Sequence, residues 1–292
     1  MRAPDELPGG PSLYPVPDPP AEGSPDARED LRVLARLFEL LVLRRHTDAL
    51  LARLEHAGEI GPGFVAGRGA TAGIGIAAAL EPGDQVFGTR RDWPAALARG
   101  LDLADVLGRA MRTAGGIDAG AAGDLRSQEG GFHLTDATTA SHVAEAVGYG
   151  LAARLSGSSA IAVCFLGSGT LMLPETTAAL MQAVASKARV AFVLRGPRAA
   201  FERLVVIHRV AVPADSAWRA YWALSEAREA RPGLPVLIDA RHGPEAEAPL
   251  DAELLRERGI LSPEFERALG TEVGDRLDEV RRQVMAARGG GR

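Results

Sequence analysis

The stretch that most restricts what this chain can become is AIAVCFLGSGTLMLPETTAALMQAVASKARVAFVLR, from Ala160 to Arg195. Its first seven residues, Ala160 to Leu166, are a short apolar run rich in β-formers, which predicts a strand buried on both faces. A Gly-Ser-Gly turn follows (Gly167, Ser168, Gly169). An Ala-, Leu- and Met-rich segment from Pro174 to Lys187 predicts a helix, with proline tolerated in its first turn. A second buried strand is expected from Arg189 to Leu194. Strand, turn, helix, strand is a βαβ unit. Such units build parallel sheets, and ligands of those sheets bind beyond the carboxyl ends of the strands. A site is therefore expected around Gly167–Leu173 and Arg195–Arg198.

The 292 residues suffice for one large α/β domain or two small ones. A hydrophobic share of 46% and a charged share of 24% match an ordinary water-soluble chain. The net charge of −5 gives no bulk attraction to nucleic acid or anionic lipid. Cys164 is the single cysteine and falls inside the first strand, so it reads as a buried structural thiol with no disulfide partner in the chain. No apolar run reaches the roughly 20 residues of a membrane span. The N-terminus is acidic and proline-rich, unlike a signal peptide. The expected location is cytoplasmic.

Residues 1–28 carry eight prolines and little to bury, and read as an extended arm. Leu31, Leu34, Phe38, Leu41, Leu50, Leu51 and Leu54 fall largely on one helical face between Glu29 and His56. Arg44 and Arg45 are expected on the solvated side or at an interface. The segment Gly67–Leu80, GRGATAGIGIAAAL, suits a helix packed tightly against a neighbour or a subunit; a phosphate loop stays open as the other reading of its glycines. A turn at Glu81–Asp84, a short strand Gln85–Thr89 and one helix from Pro94 to Met111 come next. Residues 114–141 read as a long irregular stretch containing Gly130-Gly131-Phe132-His133. Taken alone, His133 reads as a structural histidine. A small-residue helix (Val143–Leu155) leads into the βαβ unit. Beyond it, a strand (Leu204–Val212), a helix (Ser216–Glu229) and a strand (Pro235–Ala240) continue the alternation. The chain is helical and charged from Asp251 to a frayed Gly289–Arg292 tail.

In order and spacing, several segments resemble the alpha subunit of the first, thiamine diphosphate-dependent component of 2-oxo acid dehydrogenase complexes, pyruvate and branched-chain type. Ala77-Ala78-Ala79-Leu80-Glu81-Pro82-Gly83-Asp84-Gln85-Val86-Phe87 is similar to that family's "AAAL-PGD-VF". Thr89-Arg90-Arg91-Asp92 followed by Leu97-Ala98-Arg99-Gly100 looks like its "TYRE…LARG". Gly130-Gly131-Phe132-His133-Leu134 is similar to "GGSMHL", and Leu254 to Leu261 before Ser262-Pro263-Glu264 resembles a late family segment. The resemblance implies a three-layer α/β fold of the thiamine-diphosphate-binding type, with a mainly parallel sheet. Residues 1–28 would be the arm, 29–245 the α/β domain and 246–292 a helical C-terminal extension.

The departures bear on chemistry. The family holds Mg²⁺, and through it the diphosphate, with the Asp of a G-D-G motif and an Asn some thirty residues on. Mg²⁺ is a hard cation that takes oxygen ligands in an octahedron, normally including a carboxylate. Here the motif reads Gly167-Ser168-Gly169, and Gly196-Pro197 stands where the asparagines would be. The family's Tyr is Arg90, its following His is Trp93, and the segment framing the cofactor ring is shortened to Ser141-His142-Val143. The late histidine loop is reduced to Arg241-His242-Gly243-Pro244. Thiamine diphosphate is thus implied by the resemblance, while a Mg²⁺ site is not expected. The leading expectation is a structural or regulatory paralogue that has lost or altered the cofactor site, an oxidoreductase by family and inactive by its residues. Two alternatives remain. One is an active 2-oxo acid dehydrogenase subunit with atypical anchoring, in which Arg91 meets the diphosphate and His133 is an outer-shell residue. The other is a metal-free module for an anionic ligand, using Arg90, Arg91, Arg195 and Arg198. The expected partners are a second copy of this chain and a beta-type dehydrogenase subunit, with no nucleic acid or membrane.

Overall fold

The computed structural model describes residues 25–66, 69–112, 124–135, 140–197, 208–212, 216–230, 235–242, 250–257, 259 and 261–289. In chain order the elements are α1 (Pro25–His56), α2 (Ala70–Ala78), β1 (Gln85–Gly88), a 3-10 turn (Arg90–Asp92), α3 (Trp93–Ala98), α4 (Leu103–Arg112), β2 (Leu125–Ser127) and β3 (Phe132–Leu134). They continue with α5 (Ser141–Leu155), β4 (Ala162–Leu166), α6 (Ser168–Leu171), α7 (Pro174–Ser186), β5 (Val190–Pro197), β6 (His208–Ala211), α8 (Ala217–Ala230), β7 (Val236–His242), α9 (Leu250–Glu257) and α10 (Pro263–Gly289).

The seven strands form one sheet in the order β2-β3-β1-β4-β5-β7-β6. Every described pairing is parallel except the antiparallel edge pair of β2 and β3. The βαβ unit read from Ala160–Arg195 is present, with Ala162 paired to Val190 and Leu166 to Leu194. All five residues of β4 are buried, because a parallel strand is covered on both faces. Ile161, Val163 and Phe165 face a core shared with α1–α4 and α8–α10, whereas Ala162, Cys164 and Leu166 face one shared with α5 and α7. The result is the expected three-layer α/β/α sandwich with a mainly parallel sheet. Among the described residues, no helix is long and apolar enough to cross a membrane.

Several local expectations are corrected. The helix expected from Pro94 to Met111 is two helices. Gly100, at φ 89°, breaks it, and Asp102 Oδ1 accepts from the Ala104 N–H (2.9 Å) to start α4 anew. The irregular stretch 114–141 contains β2 and β3, which are too short for periodicity to show. The Gly167–Gly169 turn is instead the start of a helical turn: Gly167 has φ −85° and needs no glycine, and α6 begins at Ser168. β5 runs on through Arg195 to Pro197, and α10 reaches Gly289. Arg45 is exposed, and Arg44, partly exposed, pairs with Asp48 (2.8 Å), whose Oδ1 accepts from the Ala66 N–H (2.8 Å). Residues 1–24, 198–207 and 243–249 lie outside the described residues, and with them most of the expected arm, Arg198, part of the Leu204–Val212 strand and Gly243-Pro244.

Two features lock the layers together. Asp84, 1% exposed, accepts from the Ile161 N–H (2.8 Å) and the Glu81 N–H (2.7 Å) and pairs with Arg228 of α8 (2.5 Å). One carboxylate thus ties the start of β1 to the start of β4 and to the helix layer. The second is close helix packing. α2 is buried from Ala70 to Ala77, and a Cβ on Gly75 would lie 1.9 Å from the Ala217 carbonyl oxygen of α8. The small residues of the Gly67–Leu80 segment therefore serve packing within the chain at α2.

Gly75→Ala is expected to cost about 3 kcal/mol in urea unfolding, because backbone has to move. Gly73→Ala, whose added Cβ would meet only the Phe165 ring at 3.4 Å, should fall within about 1 kcal/mol of wild type. Equal effects would contradict the α2–α8 contact. Cys164 is fully buried, and burial pushes its thiol well above the ordinary range. Its labelling by an aromatic disulfide reagent should therefore wait on unfolding; fast labelling of the folded chain would disprove that burial.

Candidate functional site

The carboxyl ends of β1, β4 and β5 converge where the sequence places a site. β1 leaves through Thr89 into the 3-10 turn, which Asp92 closes from inside. Asp92 Oδ2 accepts from the Thr89 N–H (2.8 Å) and from the Thr89 hydroxyl (3.2 Å), a reciprocal cap. Gly88 makes room for it, since a Cβ there would sit 2.5 Å from Asp92 Oδ2. The carboxylate is 1% exposed.

A buried carboxylate requires a partner, and Arg195 supplies it. From the far end of β5 its guanidinium crosses the Phe165 ring of β4, 4.8 Å from the centroid, and Nη1 pairs with Asp92 Oδ1. Its aliphatic stem lies against Gly69, where a Cβ would come within 3.3 Å. Gly69 sits at φ 85° as the N-terminal cap of α2, so glycine is required there both for conformation and for space. Arg195 is thereby fixed on four sides, by Gly69, Phe165, Asp92 and its own strand.

The other candidates do not join it. Arg90 is half-buried, with its guanidinium 5.4 Å from the Phe64 ring centroid. Arg91 is exposed on the same turn. The three arginines therefore point to three different places. His133 lies on the opposite face of the sheet, under α5. Its Nδ1 is 3.2 Å from Glu145 Oε2, and its ring is 5.9 Å from Phe87. Trp93 is fully buried and donates from Nε1 to the Phe64 carbonyl (2.7 Å). Gly167 and Gly169 of the degenerate motif have open space around them, and Ser168 opens α6. At the end of β5, Gly196 and Pro197 offer no side-chain oxygen.

Sequence reasoning missed Asp92 as the partner of Arg195. The Thr89-x-x-Asp92 spacing was a usable signal for a buried, capped carboxylate. It also missed His142, which is 1% exposed at the start of α5 with Nε2 3.0 Å from the Phe165 carbonyl oxygen. The sequence places it only within the shortened Ser141-His142-Val143 segment and assigns it no role.

Among the described residues, the donors at these strand ends do not suit Mg-thiamine diphosphate. The buried carboxylate at these strand ends has both oxygens engaged by Thr89 and Arg195, and a guanidinium lies beside it where a metal site needs further oxygens. Among the described residues, no three His, Cys, Asp or Glu side chains are grouped to hold a metal ion. A cavity of about 510 Å³ lies elsewhere, at the amino end of β3 beside β2 and α4. Its lining mixes signs, and two of its arginines are committed: Arg99 donates to the Gly130 and Leu80 carbonyls (3.0 Å each), and Arg126 pairs with Asp124 (2.7 Å).

A solved structure from Mycobacterium smegmatis, described as a candidate thiamin diphosphate-dependent enzyme, is similar over 60% of this chain at 13% identity with a TM-score of 0.38. The chain spans 32% of the length of that protein. No curated protein sequence matches the chain. The family profile of the dehydrogenase E1 component matches residues 39–196, just over half of the chain, from within α1 to Gly196 of β5. By that match, this chain belongs to the dehydrogenase E1 component family, a family of thiamine diphosphate-dependent enzymes.

Proposed function

We propose that this chain is a non-catalytic, structural or regulatory member of the E1 family, which keeps the alpha-subunit-like fold and does not hold Mg-thiamine diphosphate. The observation that carries the reading is the Arg195–Asp92 pair. Next to Gly196-Pro197, which offer no side-chain oxygen for a divalent cation, this chain sets the Arg195 guanidinium on a buried carboxylate. The positive charge comes from a side chain and cannot leave, so the carboxylate needs no metal to be neutralised.

The same pair weighs against the anion-binding alternative. An arginine already bound to a carboxylate has little charge left for a phosphate, and Arg90 and Arg91 do not converge with it. His133 has no place in the site, because the sheet separates it from Arg195. A beta-type dehydrogenase subunit remains the proposed heterologous partner, with the alpha-like fold serving assembly.

Two measurements test this. Removing one member of a buried pair strands the other, so Arg195→Met and Asp92→Asn should each lower unfolding stability by about 3–5 kcal/mol, while the double variant costs much less than the sum. Additive effects would mean that the pair is not coupled. The purified chain, mixed with a beta-type subunit, Mg²⁺ and thiamine diphosphate, should release no CO₂ from pyruvate or a branched-chain 2-oxo acid. Mg-dependent turnover that is lost on Arg91→Ala would overturn the non-catalytic reading in favour of an atypically anchored enzyme.

A further inference from the structure

We propose that the cavity at the amino edge of the sheet binds a small zwitterion, an α-amino acid with an apolar side chain. Its volume of about 510 Å³ falls within the roughly 300–1,000 Å³ of ordinary small-ligand sites. It lies between α4 and the β2–β3 hairpin, at the end of the sheet opposite Arg195, so its occupancy is independent of the catalytic reading. The Gly130-Gly131 turn of the hairpin shapes it. Gly131 has φ 68°, and a Cβ there would lie 2.8 Å from Arg99 Nη2; a Cβ on Gly130 would lie 2.7 Å from the Phe132 ring. Glycine is what lets this turn close against the arginine. Arg99 is half-buried and held by the Gly130 and Leu80 carbonyls (3.0 Å each). These acceptors are neutral and take two of the five guanidinium N–H donors. They orient the group without matching its charge. Arg109, half-buried on α4, has no ion pair among the described residues.

The charges choose the ligand. Arg99, Arg109 and Arg126 share the lining with Asp102, Asp105 and Glu129. A phosphate or other polyanion would meet repulsion as well as attraction there, whereas a ligand with one charge of each sign is matched on both. Two of the six groups are already engaged: Asp102 caps α4 at the Ala104 N–H, and Arg126 pairs with Asp124. Arg99 and Arg109 are left for a carboxylate, and Asp105 and Glu129 for an ammonium. Asp105 and Arg109 stand four residues apart on one face of α4, yet they form no ion pair with each other. Both charges therefore stay available. The rest of the lining includes Leu101, Leu125 and Phe132, an apolar floor that suits a hydrocarbon side chain better than a further charge.

Differential scanning fluorimetry of the full chain with each standard L-amino acid, followed by calorimetry, tests this. L-leucine is the first probe, and an apolar amino acid is expected to raise the melting temperature with a dissociation constant of about 0.1 mM. Its analogues with only one of the two charges (for leucine, isocaproate and isoamylamine) should each bind about thirtyfold more weakly. Arg109→Gln should weaken the amino acid about thirtyfold and leave the amine analogue unaffected. Glu129→Gln should weaken it about tenfold, leave the acid analogue unaffected and leave the ligand-free melting curve unchanged, since Glu129 is exposed. The proposal is overturned if no standard amino acid raises the melting temperature, or if the acid analogue binds as tightly as the amino acid. Inorganic phosphate binding more tightly than the amino acid, or wild-type affinity in both variants, would overturn it as well.

Discussion

The ion pair between Arg195 and Asp92 governs the functional end of this molecule. Each member is unaffordable alone: a carboxylate at 1% exposure and a guanidinium laid on an aromatic ring both need a counter-charge nearby. Together they connect β1 to β5 across β4 at the edge where ligands of parallel sheets bind. Their surroundings are shaped for them. Gly88 leaves space for the carboxylate, Gly69 leaves space for the arginine stem, Phe165 supplies the stacking face, and Thr89 satisfies the second carboxylate oxygen. A pair so closely enclosed on every side is arranged for rigidity.

The remainder of the fold follows from burial of a parallel sheet. Strands covered on both faces must be apolar where they are covered, and β4 and the Val190–Leu194 part of β5 are. The polar groups admitted to the interior are those with several partners. Asp84 is an example, with two backbone donors and Arg228. The layers differ in thickness: α1–α4 and α8–α10 cover one face of the sheet, and α5 and α7 the other.

Much of this was legible in the residues. The βαβ unit was readable because seven consecutive apolar residues, a glycine-bounded turn and an alanine-rich helix have few other solutions. α1 was readable from its one-sided leucines, and burial of Cys164 from its place in the strand. β2 and β3 were not readable, since three-residue strands carry no usable period. The split of α3 from α4 depends on one glycine with a positive φ, which a helical pattern tolerates on paper. At the site, the sequence showed what is missing, a carboxylate at Ser168 and side-chain oxygens at Gly196-Pro197. It did not show what replaces them. Arg195 and Asp92 lie about a hundred residues apart, and their meeting is a product of strand order. Three arginines near strand ends looked alike in sequence, yet each has a different fate: one on a carboxylate, one on a phenyl ring, one in solvent.

The most direct measurement is native mass spectrometry of the full chain drawn gently from its own host, which weighs the assembly together with any small molecule it retains. The account predicts a complex, of two copies or of this chain with a beta-type subunit, whose mass is accounted for by protein alone. A complex carrying one thiamine diphosphate and one Mg²⁺ for each copy of this chain would contradict it.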